Sequence, residues 1–286
     1  MSVPVSVVVP VLNEENNLGR CLASIRWASE IYVVDSSSAD RTEAIAKSFG
    51  ANVVQFRYHG GWPKKKGWAL EKLPFANDWV FLLDGDEAVG AGAELEIGAA
   101  VSGDSDFAGY WINRRFMFLG KWLAHAYYPN WNLRLFRHAL GRFEQLVQGD
   151  TESGDIEIHE HVIVHGKTGR LKTELEHFAF PTIASFIEKH NRYSNWEARL
   201  ALEETQPQER NRPQDRRVNL RRRLRFLSRR MPFRPTLRFL YVYLIQGGFL
   251  DGIEGYYFAR LHAAYELMSV IKTFELKRDA NRRLGN

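Results

Sequence analysis

The sequence predicts an α/β protein with a mostly parallel, doubly wound sheet and a helical, basic C-terminal extension. Over the first 84 residues, short runs of apolar, largely β-branched residues alternate with segments of helical periodicity. Such continuous apolar runs are typical of strands that helices cover on both faces. A concentration of arginine between residues 209 and 238 sets the C-terminal region apart.

Residues typical of helix ends mark the boundaries of the N-terminal elements. Ser and Asp begin the second predicted helix and Gly ends it. In chain order, the predicted elements are strand 5–13, helix 14–28, strand 30–35, helix 38–50, strand 51–56, helix 64–73 and strand 79–84.

The later elements are less regular. Residues 109–120 and 130–138 have strand-like content, and 159–171 reads as a pair of strands with a Gly turn. From about residue 182 the apolar residues recur at helical spacing. We therefore predict one domain over 1–180 and a helical region over 181–286.

Length and composition narrow the class of protein. The 286 residues, 45% of them apolar, suffice for one large α/β domain with an appendage. The single cysteine, Cys21, excludes an internal disulfide. No basic start precedes the apolar N-terminus, so a signal peptide is not expected. The apolar stretch 239–250 is shorter than the roughly 20 residues that span a bilayer.

The net charge of +5 is unevenly distributed. Residues 209–238 hold twelve arginines and two acids, a local charge of +10, which leaves −5 for the remainder. Leu220, Leu224, Leu227 and Met231 recur among these arginines at helical spacing. A basic amphipathic helix is typical of contact with an anionic membrane surface, and a solvated helix packed on the main domain is the alternative. No nucleic-acid-binding motif accompanies the arginines, so no nucleic-acid partner is expected.

Polar residues collect where three predicted strands end. Asn13 and Glu14 close the first strand and Asp35 closes the second. The fourth strand ends at Asp84, Gly85, Asp86 and Glu87. Ligands of such sheets bind beyond the carboxyl ends of the strands. No G-x-G-x-x-G follows the first strand, so the dinucleotide fingerprint is missing.

The D-x-D sequence predicts a metal site. Alternate side chains of an extended segment point the same way, so Asp84 and Asp86 can face one ligand, and Gly85 lets a backbone approach. Mg²⁺ is often held by one or two carboxylates together with substrate phosphates. A second D-x-D, Asp104 and Asp106, follows no apolar strand and is interpreted as a solvated loop.

Other candidate residues have ordinary structural alternatives. Capping of the first helix is the alternative role for Asn13 and Glu14, and capping of the second helix could explain Ser38. The run from Lys64 to Lys66 is usually a solvated face, although Lys66 at a helix start could meet a phosphate. His177 is either a core histidine or a metal ligand. Glu160 is a candidate general base, whereas His159, His161 and His165 lack the companions of a zinc site.

These residues together resemble family 2 glycosyltransferases, which have the GT-A fold. The resemblance rests on "VVVPVLNEENNLGRCLASI", "IYVVDSSSADRTEAIAKSFGANV" and "FLLDGDE", and is strongest over residues 3–115. The later stretches "YPNWNLRLFRH", "HEHV" and "GGFLDGIEGYYFARLHAAYE" resemble a bacterial branch that includes lipopolysaccharide core glucosyltransferases.

The resemblance implies an inverting, metal-dependent hexosyltransferase with a nucleotide-sugar donor, often UDP-linked. It implies that Pro10 to Glu14 line the nucleotide pocket and that Asp35 touches the base. Asp84 would contact the ribose or the metal, Asp86 would hold Mn²⁺ or Mg²⁺, and His177 is a further metal candidate. Arg134 and Arg137 are possible additional phosphate contacts.

On the acceptor side, the family often carries its base in an E-D pair, where this chain has Glu160–His161. Residues 1–115 would form the nucleotide-sugar half and 116–180 the acceptor half. The acceptor would be a glycolipid or cell-surface saccharide, met at the inner, cytoplasmic face of the cell membrane. A polyprenyl-phosphate acceptor, a nucleotidyltransferase and a non-catalytic membrane-surface scaffold are the alternatives.

Overall fold

The computed structural model describes residues 2–103, 105–144, 161–180, 182–203 and 233–284. They form two compact units. The first unit comprises the described residues up to Trp122, from Tyr128 to 144 and from 161 to Ala179, and the second comprises Leu123–Tyr127 and the described residues from Phe180 onward. The domain limits drawn from the sequence at about 115 and 180 stay a prediction.

The first unit is built on the four parallel strands that the sequence predicts. In spatial order they are β3 (Asn52–Gln55), β2 (Ala28–Asp35), β1 (Val3–Val11) and β4 (Trp79–Leu82). The central strand β1 pairs in parallel on both sides, with Val8 opposite Tyr32 of β2 and Leu82 of β4. The strands β1 and β4 end two residues earlier than predicted, so the polar residues after them lie in loops.

Helices cover both faces of this sheet, which confirms the doubly wound arrangement. The helices are α1 (Leu18–Ser24), α2 (Thr42–Ser48), α3 (Lys65–Lys72) and α4 (Ala93–Ser102). Val7 and Val9 pack in a core that includes Leu22 of α1 and Ile97 of α4. Val8 points to the other face, into a core that includes Leu70 of α3. Because successive side chains of a strand point to opposite faces, the apolar run of β1 contributes to both cores.

The remaining strands make the sheet mixed rather than mostly parallel. The strands β5 (Glu87–Val89), β6 (Phe107–Phe118), β7 (Lys121–Trp122), β8 (Trp131–Arg137) and β11 (Lys167–Phe180) extend it in the order β4-β8-β6-β11-β5, with β7 on β6. The pairs β4–β8, β6–β8, β6–β7 and β5–β11 are antiparallel. The parallel prediction therefore holds for β1 to β4 alone, because the pairing of distant segments leaves no local pattern.

A short antiparallel ribbon corrects one prediction. Residues 159–171 do not pair with each other as one hairpin, because β10 (Val162–Val164) pairs with β9 (Gly141–Phe143). Gly166, at φ +138°, turns the chain from β10 into β11, which joins the main sheet.

The second unit is helical, as predicted from about residue 182. It contains α5 (Ile183–Glu203), α6 (Arg234–Leu240), a π-helical turn (Tyr241–Ile245), a 3-10 turn (Gly248–Asp251) and α7 (Gly252–Leu284). The ring of His190 on α5 packs against His262 and Tyr265 of α7. Most of the predicted basic helix lies outside the described residues, and α6 covers only its end. No helix in the described ranges is both long and apolar enough to cross a bilayer.

Candidate functional site

The loop between β4 and β5 carries the D-x-D sequence and packs on the end of β1. A Cβ added to Gly85 would lie 3.0 Å from Val11 Cγ1 and 3.3 Å from Glu14 Cγ. The position therefore requires glycine for a close approach rather than for an unusual φ. Behind the loop, the buried Sγ of Cys21 lies 3.6 Å from the carbonyl oxygen of Asp84.

A chain of ion pairs holds the first carboxylate of the loop, that of Asp84, whose side chain is 23% exposed. Asp84 pairs with Lys66 at 2.6 Å and with Arg134 at 2.8 Å. The same Arg134 nitrogen lies 2.7 Å from Glu87, whose side chain has no exposure and also pairs with Arg114 at 3.1 Å. Three cations and three carboxylates, counting the neighbouring Asp86, thus give this cluster no net formal charge.

The ion pairs decide the protonation of Asp84. Burial alone raises the pKa of its carboxyl, but the charges of Arg134 and Lys66 outweigh burial and hold that pKa well below its usual range. Burial alone lowers the pKa of Arg134, and the carboxylates of Asp84 and Glu87 reverse this, so that its pKa is raised. Both side chains are therefore charged at neutral pH.

The second carboxylate of the loop faces a histidine. Asp86 Oδ1 lies 3.5 Å from His177 Nε2, because β11 places His177 opposite Glu87 of β5. The ring of Phe116 makes an edge contact with His177, with 5.5 Å between centroids. His177 Nδ1 is buried and has no hydrogen-bond partner within the described part of the chain. Asp86 and His177 thus bring an oxygen and a nitrogen ligand atom close together.

The loops after β1 and β2 are tied to each other. Asp35 is buried, accepts from the backbone N–H of Ser38 at 3.1 Å, and accepts from Gln55 Nε2 at 3.0 Å. Ser38 Oγ also accepts from the N–H of Asn13, which has a left-handed φ of 56°. The Oδ1 of Asn13 accepts from the N–H of Ala39 at 2.8 Å. Asp35 and Asn13 thus meet through Ser38 at the ends of β2 and β1.

Glu14 and Pro10 have structural roles in addition to those expected of them. The N–H of Glu14 donates to Thr42 Oγ1 at 2.8 Å, and Glu14 Oε2 accepts from Asn17 Nδ2 at 2.9 Å. Pro10 lies within β1, opposite Val34 of β2. The two residues line the same edge as Asn13 and Asp35.

The lysine run at the start of α3 is not a solvated face. Lys64 and Lys65 are buried, and the side chain of Lys66 is 15% exposed. Lys65 Nζ donates to the carbonyl oxygen of Val11 at 2.8 Å. Lys65 and Lys66 therefore connect α3 to the loops after β1 and β4.

The site residues named from the sequence divide into three sets. The first set, Lys66, Asp84, Gly85, Asp86 and His177, lies around the loop after β4. The second set, Pro10, Asn13, Glu14 and Asp35, lies at the ends of β1 and β2. Glu160 lies outside the described residues, so its role as a base stays a prediction.

Sequence reasoning placed Glu87 at the end of the fourth strand without giving it a role, and it missed Arg114. Arg114 is a charged residue within an apolar strand segment, and that was the available signal. Arg134, a possible phosphate contact from the sequence, binds the carboxylates of Asp84 and Glu87, and its phosphate role stays a prediction. Arg137 stacks on Trp79 with 4.8 Å to the ring centroid. Within the ranges that the structure describes, no group of three His, Cys, Asp or Glu side chains is placed to hold a metal ion.

Comparison with known proteins identifies a family and several relatives. The model of glycosyl transferase family 2 matches residues 6–156. The lipopolysaccharide core biosynthesis glycosyltransferase LpsC of Rhizobium meliloti is 28% identical over 282 residues, which are 95% of this chain and 92% of LpsC. An uncharacterized glycosyltransferase of Rickettsia conorii is 29% identical over 199 residues, 68% of this chain and 69% of the relative.

Among solved structures, the chain is similar to glucosyl-3-phosphoglycerate synthase of Mycobacterium tuberculosis, in complex with Mn²⁺, UDP and glucosyl-3-phosphoglycerate. The match has 25% identity and a TM-score of 0.30, and it covers 40% of this chain and 44% of that one. At that TM-score the likeness does not bear on what this chain binds.

Proposed function

Because the chain belongs to glycosyl transferase family 2, we propose that it transfers a hexose with inversion from a UDP-linked sugar to a glycolipid or cell-surface saccharide. A lipopolysaccharide core is the acceptor that the similarity to LpsC favours. Glycosyltransferase activity follows from membership of the family, and the helix-covered sheet of the first unit agrees with the GT-A fold expected of it. The observation that carries the proposal is the meeting of Lys66, Asp84 and Arg134 beside Asp86 and His177.

The nucleoside would be held at the ends of β1 and β2. Asp35 would accept from the base, and its bonds to Ser38 and Gln55 fix the orientation of the carboxylate beforehand. Pro10, Asn13 and Glu14 would line the pocket, with the backbone of Asn13 fixed by Ser38. Preorganised polar groups of this kind lower the cost of ordering the site on binding.

The diphosphate would be held around the loop after β4. Lys66 of α3 and Arg134 of β8 are cations that contact this loop, and the carboxylate of Asp84 binds both. The Nε atoms of Arg134 and Arg114 are buried and have no hydrogen-bond partner among the described residues. Buried donors of this kind are normally satisfied, which supports a site that an anion or water completes.

A divalent cation, Mn²⁺ or Mg²⁺, fits Asp86 and His177 best. Asp86 offers a hard oxygen ligand, and the facing Nε2 of His177 is at 3.5 Å. Both oxygens of Asp84 already pair with cationic side chains, so its expected role as a metal ligand stays a prediction. When bound, the cation would stabilise the charge that develops on the diphosphate leaving group. Because the residue cluster has no net charge, a diphosphate would otherwise meet no excess of positive charge there.

Glu160 is the proposed base. It would take the proton from the acceptor hydroxyl as that oxygen attacks the anomeric carbon from the face opposite the diphosphate. A single displacement of this kind converts an α-linked donor into a β-linked product. A polyprenyl phosphate in place of the saccharide remains the alternative acceptor, and supplying each in turn to the enzyme distinguishes them.

We propose further that the enzyme works peripherally on the inner, cytoplasmic face of the cell membrane. The +10 charge of residues 209–238 supports attraction to anionic lipid, and a glycolipid acceptor would be presented at that surface. The non-catalytic scaffold is the rival of another class, and it predicts membrane binding without nucleotide binding.

A thermal-shift panel of UDP, GDP, ADP, CMP and their sugars, with and without Mn²⁺, tests the proposal. A ligand that binds only the folded state raises the melting temperature. We expect metal-dependent stabilisation by a UDP-sugar that Asp86→Ala abolishes. The matched control is Asp106→Ala in the second D-x-D, whose exposed carboxylate pairs with Lys167 at 3.3 Å and should not affect the shift. No stabilisation by any nucleotide would overturn the proposal in favour of the scaffold.

A further inference from the structure

One stretch of the second unit exposes an unusual amount of apolar surface. Between Phe233 and Tyr257, ten large apolar side chains are exposed, half of the twenty found in the described residues. We call this set the apolar face: Phe233, Leu237, Leu240, Tyr241, Leu244, Ile245, Phe249, Leu250, Ile253 and Tyr257. Large contiguous apolar patches mark interaction sites, whereas single exposed apolar residues are normal on a protein surface.

The spacing of these residues follows the local helices. Residues 233, 237, 240, 241 and 244 recur at three- and four-residue intervals, and so do 249, 253 and 257. Other residues of the same elements pack among themselves, since the half-buried Tyr243 contacts Phe239 and Tyr256 at centroid distances of 5.3 and 5.7 Å. The fold therefore uses part of this stretch internally and leaves the apolar face to solvent.

Charged side chains are absent from the exposed part of this stretch. Besides the apolar face, only Thr236 and Gly252 are exposed between 233 and 257. The four charged residues there, Arg234, Arg238, Asp251 and Glu254, are buried or half-buried, and Arg234 pairs with Glu266 at 2.5 Å. Water thus meets an uncharged apolar surface.

Positive charge borders this surface along the chain. Residues 209–232 hold ten arginines and two acids, a net charge of +8, directly before Phe233. Arg260, one turn beyond Tyr257, is exposed. Apolar side chains flanked by arginines match the interface of an anionic bilayer, where acyl chains lie beneath negative headgroups.

We propose that the apolar face inserts into the outer layer of an anionic lipid membrane, whose negative charge attracts the basic chain segment that precedes Phe233 in the sequence. The inference deepens the proposed function and rests on it only for the glycolipid acceptor. It differs from attachment by arginines alone, because the apolar side chains themselves leave water. The consequence is a docked enzyme whose attachment survives salt better than charge attraction does.

Site-specific labelling tests insertion directly on the full chain. Its only cysteine, Cys21, is fully buried, so an introduced cysteine is the accessible thiol. The variants are Ile245→Cys and, as the matched control on α4, Leu95→Cys, whose native side chains are 77% and 76% exposed. Each carries a fluorophore that brightens and shifts to the blue in an apolar environment. The probes are vesicles of equimolar phosphatidylcholine and phosphatidylglycerol, and vesicles of phosphatidylcholine alone.

We expect the label at position 245 to shift to the blue with the anionic vesicles, and the label at 95 to stay unchanged. Without a label, Ile245→Glu should lower the vesicle partition coefficient by about tenfold or more, since burying one such side chain is worth at least that factor. Leu95→Glu should leave the coefficient as it is.

Two results would overturn the inference. In the first, the chain co-sediments with the vesicles, but the label at 245 does not shift and Ile245→Glu binds as well as the native chain. Attachment would then be by arginines alone. In the second, the label at 245 shifts in buffer as protein concentration rises, so the apolar face joins two copies of the chain. The nucleotide thermal-shift panel needs no lipid, so failure of the proposed function is seen separately.

Discussion

Arg134→Met gives the sharpest test of the buried ion pairs at the site. The substitution leaves the Glu87 carboxylate, which has no exposure, paired with Arg114 at 3.1 Å, and leaves Asp84 paired with Lys66 at 2.6 Å. Removing one partner of a buried pair costs about 3–5 kcal/mol. Because each carboxylate keeps one cation, we expect the free energy of unfolding of the first unit to fall by about 3 kcal/mol, the lower end of that range.

Arg134→Met should also change how the free energy of unfolding depends on pH. The pKa of Asp84 is lowered in the folded chain, since Arg134 and Lys66 outweigh burial, so its contribution to stability is present above the unfolded value near 3.8. That contribution is lost as pH falls through the folded pKa. Without Arg134 the folded pKa of Asp84 rises toward the unfolded value, so its contribution at neutral pH shrinks and less stability is lost as pH falls below 3.8.

Urea unfolding at neutral and acid pH measures both effects. Arg137→Met is the matched control, because Arg137 lies on the same strand but stacks on Trp79 at 4.8 Å. A cation over a ring is worth about 0.5–1 kcal/mol at exposed sites, so the control should lose no more than that. A loss for Arg134→Met no larger than that of Arg137→Met would refute the account of the ion pairs.

Three further predictions concern single positions. Gly85→Ala would place a methyl 3.0 Å from Val11 Cγ1. The free energy of unfolding measured in urea should fall by about 1–3 kcal/mol, and the thermal shift caused by the nucleotide should weaken. Gly19→Ala is the control and should leave both unchanged, because an added Cβ there has nothing within 4 Å. Glu160→Gln should lower the transfer rate by about 10²–10⁴-fold while the donor's thermal shift persists, and an unchanged rate would remove Glu160 from the role of base. Burial lowers the pKa of His190 to about 4, below its ordinary 6.5, so its contribution to stability is full above pH 6.5 and is lost as pH falls toward 4. His190→Gln should flatten that part of the urea-derived stability curve, and an unaltered curve would argue against the neutral buried ring.

The strands and the acidic loop could be predicted because their signals are local. The apolar runs of β1, β2 and β4 are short and continuous, and Asp35 and Asp84 follow two of them directly. A parallel sheet brings those ends to one edge whatever the rest of the chain does. Position in the sheet therefore separated Asp84 and Asp86 from the solvated Asp106.

The partners of these residues could not be predicted, because they come from strands paired at long range. Arg134 reaches Asp84 across 50 positions of sequence, since β8 pairs antiparallel with β4. His177 reaches Asp86 through the pairing of β11 with β5. The burial of the lysine run has the same origin, since Lys65 and Lys66 end on loops of other strands. From residue type alone, such lysines are expected to be exposed.

The buried thiol of Cys21, behind the acidic loop, can serve as a probe of local opening of the enzyme. Burial first, and then Glu87, Asp86 and Asp84, raise the pKa of Cys21 well above its usual value, and its sulfur lies 3.6 Å from the Asp84 carbonyl. An alkylating reagent can reach it only after α1 and this loop separate. The rate of alkylation under native conditions therefore reports the free energy of that separation, and a bound donor that holds the loop closed should slow it in proportion to its occupancy.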